Sequence, residues 1–332
     1  MFLVRVVKTL WRHKKKTLAT LLVVALAGLN VVAYLHAHAM THFTDGRYRT
    51  PSPGDMSLGE KLETLLGGVR IPRPINHGTP ARVGLPFTTV RFKARDGISL
   101  EAWRIERSES VGLVVLFHGY AGRKESLLKE AVAFHDLGYE TFLVDFRGSG
   151  GSEGRVTTIG HDEAMDVAAA LDFAAKVSRH ERPILFGQSM GAAAVLRAIA
   201  TQGVRPQAII LQAPFGRMLS TVRIRFRAME VPAFPSAQLL VFWGGVQHGF
   251  NAFAHNPEDY ATAVRCPTLL MHGDRDARVS FDEARRVFDR LAGRKRLEVF
   301  AGLGHGSLLA RRAKWREAVR SFLGEESPAT AR

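Results

Sequence analysis

The sequence predicts an α/β fold built on a buried, mostly parallel sheet, and three observations carry that expectation. Short apolar β-type runs recur at Val111–Phe117, Thr141–Val144, Pro183–Phe186, Ala208–Leu211 and Thr268–Met271. Helical patterns lie between them, near Lys124–Leu137, His161–Lys176, Ala192–Thr201 and Phe281–Leu291. This alternation is the mark of strand–helix–strand units, whose strands are buried on both faces and read as unbroken apolar runs. Ahead of them, Thr88–Lys93 and Ser99–Ile105 flank Asp96-Gly97, which reads as an antiparallel hairpin at the sheet edge. The stretch 85–325 is long enough for one domain with one substantial core.

The chain begins with a different signal. Arg5, Lys8, Arg12, Lys14, Lys15 and Lys16 crowd ahead of Leu18–Leu35, a run without a charge. At 1.5 Å per residue that run spans about 27 Å, enough to cross a bilayer. The expected plan is a basic cytoplasmic flank at 1–16 and a transmembrane signal-anchor at 17–36. No acid occurs before Asp45, so the flank stays inside and the body lies on the outer, extracytoplasmic side. The alternative is export after signal-peptide cleavage at the A-x-A-like Ala37-His38-Ala39. The apolar run is longer than the usual core of a signal peptide, which favours a retained anchor. Residues 37–84 read as a linker punctuated by Pro51, Pro53, Pro72, Pro74 and Pro80, with one helix around Leu58–Leu66. Residues 326–332 read as a tail.

Chemistry enters with the first buried strand. Val114-Val115-Leu116-Phe117 leads into His118-Gly119-Tyr120-Ala121-Gly122, a turn whose His118 reads as a structural brace. Gly148-Ser149-Gly150-Gly151-Ser152-Glu153-Gly154 follows a strand and invites a dinucleotide interpretation, but Glu153 stands where the third glycine is needed. Arg182–Phe186 then reads as a strand, Ala192–Ala200 as a helix, and Gly187-Gln188-Ser189-Met190-Gly191 joins them. A serine on so sharp a strand-to-helix turn is a nucleophile elbow, flanked by glycines because the turn leaves no room for a Cβ.

Two partners follow downstream. Thr268–His272 is an apolar strand that ends in Gly273-Asp274-Arg275-Asp276, and Asp276 sits in the loop just past it; Asp274 is the rival acid, closer to the strand end. Gly302-Leu303-Gly304-His305-Gly306 follows the strand-like Arg296–Phe300 and presents His305 between glycines. A serine hydroxyl is a poor nucleophile until a neutral imidazole takes its proton, and the imidazole needs a carboxylate to fix its tautomer. Ser189, Asp276 and His305, in that chain order, are therefore the candidate catalytic residues. The N–H groups of Tyr120 and Met190 are the candidate oxyanion donors.

These motifs, with Asp96–Trp103, Asp145–Ser152 and the order in which all of them occur, resemble the serine α/β-hydrolase superfamily, in its branch of lipase, lysophospholipase and S9/S33-peptidase-like proteins. The resemblance covers about residues 85–325. It implies an α/β-hydrolase fold with a mostly parallel eight-stranded sheet and helices on both faces. Esters, thioesters, amides and peptides are all substrates within that superfamily, so the fold does not choose among them.

The segment at about 214–262, between the sixth and seventh core strands, reads as a small helical cap. Phe215, Met218, Phe242 and Trp243 are its candidate substrate-binding residues, and Arg217, Arg223, Arg225 and Arg227 alternate with apolar positions. Those arginines either meet a phosphate or carboxylate or stand in solvent. The net charge is +15; six charges on the flank leave +9 for the rest. In a tethered protein such charge suits anionic lipid head groups better than nucleic acid, or is ordinary solvated surface. No metal spacing or phosphate-loop motif occurs and no cofactor is expected. The single cysteine, Cys266, excludes an internal disulfide. The expected function is a membrane-anchored serine hydrolase of carboxylic, lipid-like esters. The alternatives are an S9/S33-like peptidase and a non-catalytic binding module on a hydrolase scaffold.

Overall fold

Leu113–Phe117 is buried at every position, and its side chains divide between two cores. Val115 and Phe117 join the cluster on one face of the sheet, and Val114 and Leu116 join the cluster on the other. The computed structural model describes residues 2–51, 55–180 and 182–325, apart from the side chains of residues 2–14 and 228; the tail expected at 326–332 lies outside the described residues. The strands are β1 (Thr88–Lys93), β2 (Ser99–Ile105), β3 (Leu113–Phe117), β4 (Glu140–Asp145), β5 (Ile184–Gln188), β6 (Ile209–Gln212), β7 (Thr268–Gly273) and β8 (Lys295–Phe300). They form one eight-stranded sheet in the order β1-β2-β4-β3-β5-β6-β7-β8. β2 runs antiparallel to both β1 and β4, and the remaining pairs are parallel.

The helices in chain order are α1 (Phe2–Thr41), α2 (Leu58–Gly67), α3 (Leu128–Asp136), α4 (Glu163–Val177), α5 (Met190–Thr201), α6 (Met218–Ala228), α7 (Ser236–His248), α8 (Pro257–Tyr260), α9 (Phe281–Arg290) and α10 (Arg312–Glu325). Residues of α4, α5 and α9 pack on one face with Phe117 and Phe142. Phe134 of α3 and Trp315, Val319 and Phe322 of α10 pack on the other. Both faces are thus covered, as a parallel sheet demands. The register aligns Phe117 with Gly187 and Gln188 with Gln212, so the carboxyl ends of β3, β5 and β6 finish together, where α/β sheets gather their ligands.

Two buried ion clusters pin the glycine-rich loop after β4. Lys124 Nζ lies 2.7 Å from Glu101 and 2.5 Å from Asp145, all but Glu101 fully enclosed. Arg147 bridges Asp166 and Asp96 at 2.6 and 2.7 Å. A Cβ on Gly150 would fall 1.8 Å from the Asp145 carboxylate, and one on Gly151 1.9 Å from that of Glu101. The glycines are there to let the loop close over carboxylates, which is the opposite of cradling a phosphate.

α1 departs from the expected boundary at 36, continuing as one helix to Thr41. Ala37, Ala39 and Met40 are good helix formers, and no breaker stands before Asp45-Gly46. Its outer part stands clear of the body, with Leu18 and Val23 69% and 65% exposed, whereas Ala37 is 2% exposed. Lys15–Thr41 is long and apolar enough to cross a membrane. Gly68 explains how the following segment meets it: with φ at +84°, a Cβ there would lie 2.7 Å from that of Ala39. Phe43 N–H then bonds Arg155 O at 2.7 Å, and Thr157 N–H bonds Thr41 O at 2.9 Å, fastening the end of α1 to the body.

Candidate active site

β5 ends at Gln188 and α5 begins at Met190, so the whole turn falls on Ser189, at φ 53° and ψ −112°. That left-handed backbone is costly for a side chain. Close approach on both sides enforces it. A Cβ on Gly187 would meet backbone of Ala192 at 2.7 Å, and one on Gly191 would meet Phe117 O at 2.3 Å. Ser189 N–H donates to Gln212 O at 2.8 Å, which ties the elbow to β6.

His305 arrives on the loop after β8. Its Nε2 is 3.0 Å from Ser189 Oγ and its Nδ1 is 2.6 Å from Asp276 Oδ2. With Nδ1–H donating to the carboxylate, Nε2 is left as the acceptor for the serine proton. Asp276 is held in turn, its Oδ1 accepting the N–H groups of Arg278 and Val279 at 2.8 and 2.9 Å. Burial pushes this carboxyl's pKa up, but the bond to His305 and those two N–H groups outweigh burial and leave it below its ordinary value. The rival acid is engaged elsewhere: Asp274 Oδ1 accepts Gly302 N–H at 2.7 Å, bracing the turn that precedes the histidine loop.

His118 is fully buried, with both ring nitrogens on backbone. Nε2 accepts Phe146 N–H at 3.1 Å and Nδ1 lies 2.8 Å from Gly119 O. Burial lowers its pKa, so it stays neutral. The turn it braces lies against the elbow, a Cβ on Gly119 falling 3.4 Å from that of Ser189. Tyr120 is therefore beside the Ser189 turn, and Met190 opens α5, where the first N–H groups of a helix lack intrahelical acceptors. The Tyr120 hydroxyl donates to Met40 O, and burial pushes its pKa to about 12.

Ser189 and His305 open into a cavity roofed by the cap, and Phe215 and Met218 line it as expected. Phe242 and Trp243 do not. On α7 the residues that line the cavity are Leu240, Val241, Gly244 and His248, which share one helical face and leave Phe242 and Trp243 on another. Trp243 Nε1–H donates to Asn30 Oδ1 of α1 at 3.2 Å, and its ring meets Tyr34 edge-on. Phe242 remains 48% exposed. In their place α1 supplies part of the wall through Ala37, Met40 and Thr41. Hydropathy concealed this, because it ended the helix where the longest apolar run ended. His272, fully buried at the end of β7, lies 3.7 Å behind Asp276; its position in Met271-His272-Gly273-Asp274 was the available signal. Among the described residues no group of side chains has the makings of a metal site.

The strand order, the elbow and the downstream acid and histidine define a hydrolase of the α/β class, and comparison with known proteins agrees. The chain belongs to the α/β-hydrolase superfamily. A model of the serine aminopeptidase S33 family matches residues 108–260. An uncharacterized Mycobacterium tuberculosis protein is 30% identical over 243 residues, 71% of this chain and 79% of that one. A lysophosphatidylserine lipase of Danio rerio is 24% identical over 267 residues, 73% of this chain and 68% of that one. In fold, the chain is similar to an esterase of Pyrococcus furiosus at a TM-score of 0.64 and 22% identity, covering 76% of this chain and 96% of the other.

Proposed function

We propose that the protein is a membrane-anchored serine hydrolase that cleaves carboxylic esters of lipid-like alcohols or acids through an acyl-enzyme. The observation that carries this reading is the continuous hydrogen-bonded chain Ser189–His305–Asp276, at 3.0 and 2.6 Å. Ser189 Oγ attacks the ester carbonyl while His305 Nε2 takes its proton. The Tyr120 and Met190 N–H groups receive the developing oxyanion, often the largest catalytic contribution of such a site. The C–O bond then breaks, the alcohol leaves with the proton from Nε2, and the acyl group stays on Ser189. Water attacks next, again deprotonated by His305, and the carboxylic acid departs as Ser189 recovers its proton. Asp276 orients the ring and stabilises its cation throughout.

Two features support an amphiphilic ester over a peptide. The cavity walls from α1, α6 and α7 are largely apolar, and the charged residues lining it are Arg225 and Arg278. An aminopeptidase needs a negative charge for the substrate amine, and among the described residues no carboxylate lines this cavity. Anchoring by α1 places the site at a bilayer, with the basic flank inside and the body outside. Turnover of acyl esters of increasing chain length by detergent-solubilised protein tests the proposal. The account expects activity that rises into the medium or long chains and disappears in Ser189→Ala. Hydrolysis of aminoacyl amides in preference to esters would contradict it.

A further inference from the structure

The four alternating arginines of the early cap go to different places. Arg217 Nε pairs with Glu258 Oε1 at 2.5 Å. Arg223 donates to the Gln238 amide oxygen at 2.8 Å once that amide is turned to satisfy both its atoms. Arg227 faces solvent. Arg225, by contrast, lines the cavity that holds Ser189 and His305. Its guanidinium lies over the Tyr120 ring, 5.7 Å from the centroid. Among the described residues its side chain has no carboxylate within ion-pair distance and no hydrogen-bond acceptor. Arg278, an exposed residue of the loop that carries Asp276, reaches the same cavity, and among the described residues it has no carboxylate within ion-pair distance.

Arg225 is partly buried, and a guanidinium partly withdrawn from water without an anion is costly; a second cation on the same cavity adds to the cost. Burial pulls the Arg225 pKa below its ordinary range; the Tyr120 phenol opposes this and Arg278 reinforces it. An oxyanion bound at Arg225 offsets both costs, and arginine is the side chain whose fork suits carboxylate and phosphate.

We propose that Arg225, seconded by Arg278, is a binding site for an anionic group on the substrate, so that the enzyme selects amphiphilic esters carrying a phosphate or carboxylate near the scissile bond. The acyl chain then lies along the apolar wall of α1 and α7, and the charged end meets Arg225 beside the oxyanion turn. This inference rests on the reading of Ser189 as nucleophile.

Three substrates with the same chain test it: neutral oleoyl glycerol, oleoyl glycerol phosphate and oleoyl lactate. Wild-type protein should prefer at least one anionic ester by kcat/KM, and which one it prefers identifies the anion. Arg225→Gln should lower that anionic-to-neutral ratio by about thirty-fold, the scale of one charge-assisted hydrogen bond, mainly through KM. Arg225→Lys should recover part of the ratio, and Arg227→Gln, on the same helix, should leave it alone. Equal losses on all three esters in Arg225→Gln would overturn the inference, leaving Arg225 as a brace for Tyr120. Absence of any anionic preference in the wild type would overturn it as well. Failure of the hydrolase reading looks different: no ester of any charge is turned over.

Discussion

Asp276 shows how much of this site depends on single atoms. Each of its oxygens is used, one by His305 and the other by two backbone N–H groups. Asp276→Asn keeps the shape but offers the ring an amide donor, which favours the wrong tautomer. Ester turnover is expected to fall about ten-thousand-fold in kcat with little change in KM, as found for the equivalent change in a serine protease triad. A loss below tenfold in steady-state kinetics would place the working acid elsewhere, with Asp274 next in line.

A second residue makes a pH prediction. His255 is fully buried between cap and body, its Nε2–H donating to Ile159 O at 3.0 Å and its Nδ1 facing the Tyr260 hydroxyl at 3.1 Å. Burial lowers its pKa to about 3. As pH falls below about 6.5 the unfolded chain takes up a proton that the folded protein refuses until about pH 3, so stability drops across that window. His255→Gln, which keeps a donor and an acceptor, should flatten the fall in denaturation midpoint between those limits. An unchanged slope would mean that other groups set the acid sensitivity.

Among the elements, α1 carries the largest difference between sequence and structure. Its apolar run marked a bilayer span, and among the described residues one helix is long and apolar enough to be one. What the run did not reveal is that the last turn lines the cavity that holds Ser189 and His305. The signal was weak for a physical reason: Ala37-His38-Ala39-Met40 is only moderately apolar, because one face of it meets protein and the other meets solvent. The same local view misplaced Phe242 and Trp243, since a cluster of aromatics on a helix does not say which of its faces meets the site and which meets α1. By contrast, the elbow, the acid loop and the histidine loop were legible, because their glycines and strand ends are dictated by backbone geometry. Ala37→Trp should fill the α1 side of the cavity and shift ester preference toward shorter chains by about tenfold in relative kcat/KM, a few methylenes' worth of lost burial. An unaltered chain-length profile would remove α1 from the substrate wall. Cleavage after Ala39 would remove Ala37 from that wall along with Asn30 and Tyr34, the partners of the cap helix α7, which supports a retained anchor.

On the scale of the molecule, the pieces describe a sheet that holds the Ser189 turn at its carboxyl edge, a cap that roofs it, and a long apolar N-terminal helix packed against that cap. The strand pattern made the sheet readable because buried parallel strands tolerate few polar residues. The order of the strands is a long-range property that no local pattern contains. If α1 is the retained anchor, the protein should stay with the membrane fraction through alkaline carbonate extraction, and a protease added outside right-side-out cells or spheroplasts should reach the cap. Release into the soluble fraction would point to cleavage instead. The most direct test of the central claim is chemical. Solubilised wild-type protein is treated with a fluorophosphonate, which modifies only an activated serine, and the adduct is mapped by mass spectrometry. The account predicts one adduct, on Ser189, lost in Ser189→Ala and strongly slowed in His305→Ala. A folded wild-type protein that takes no label, or takes it on another serine, would contradict it.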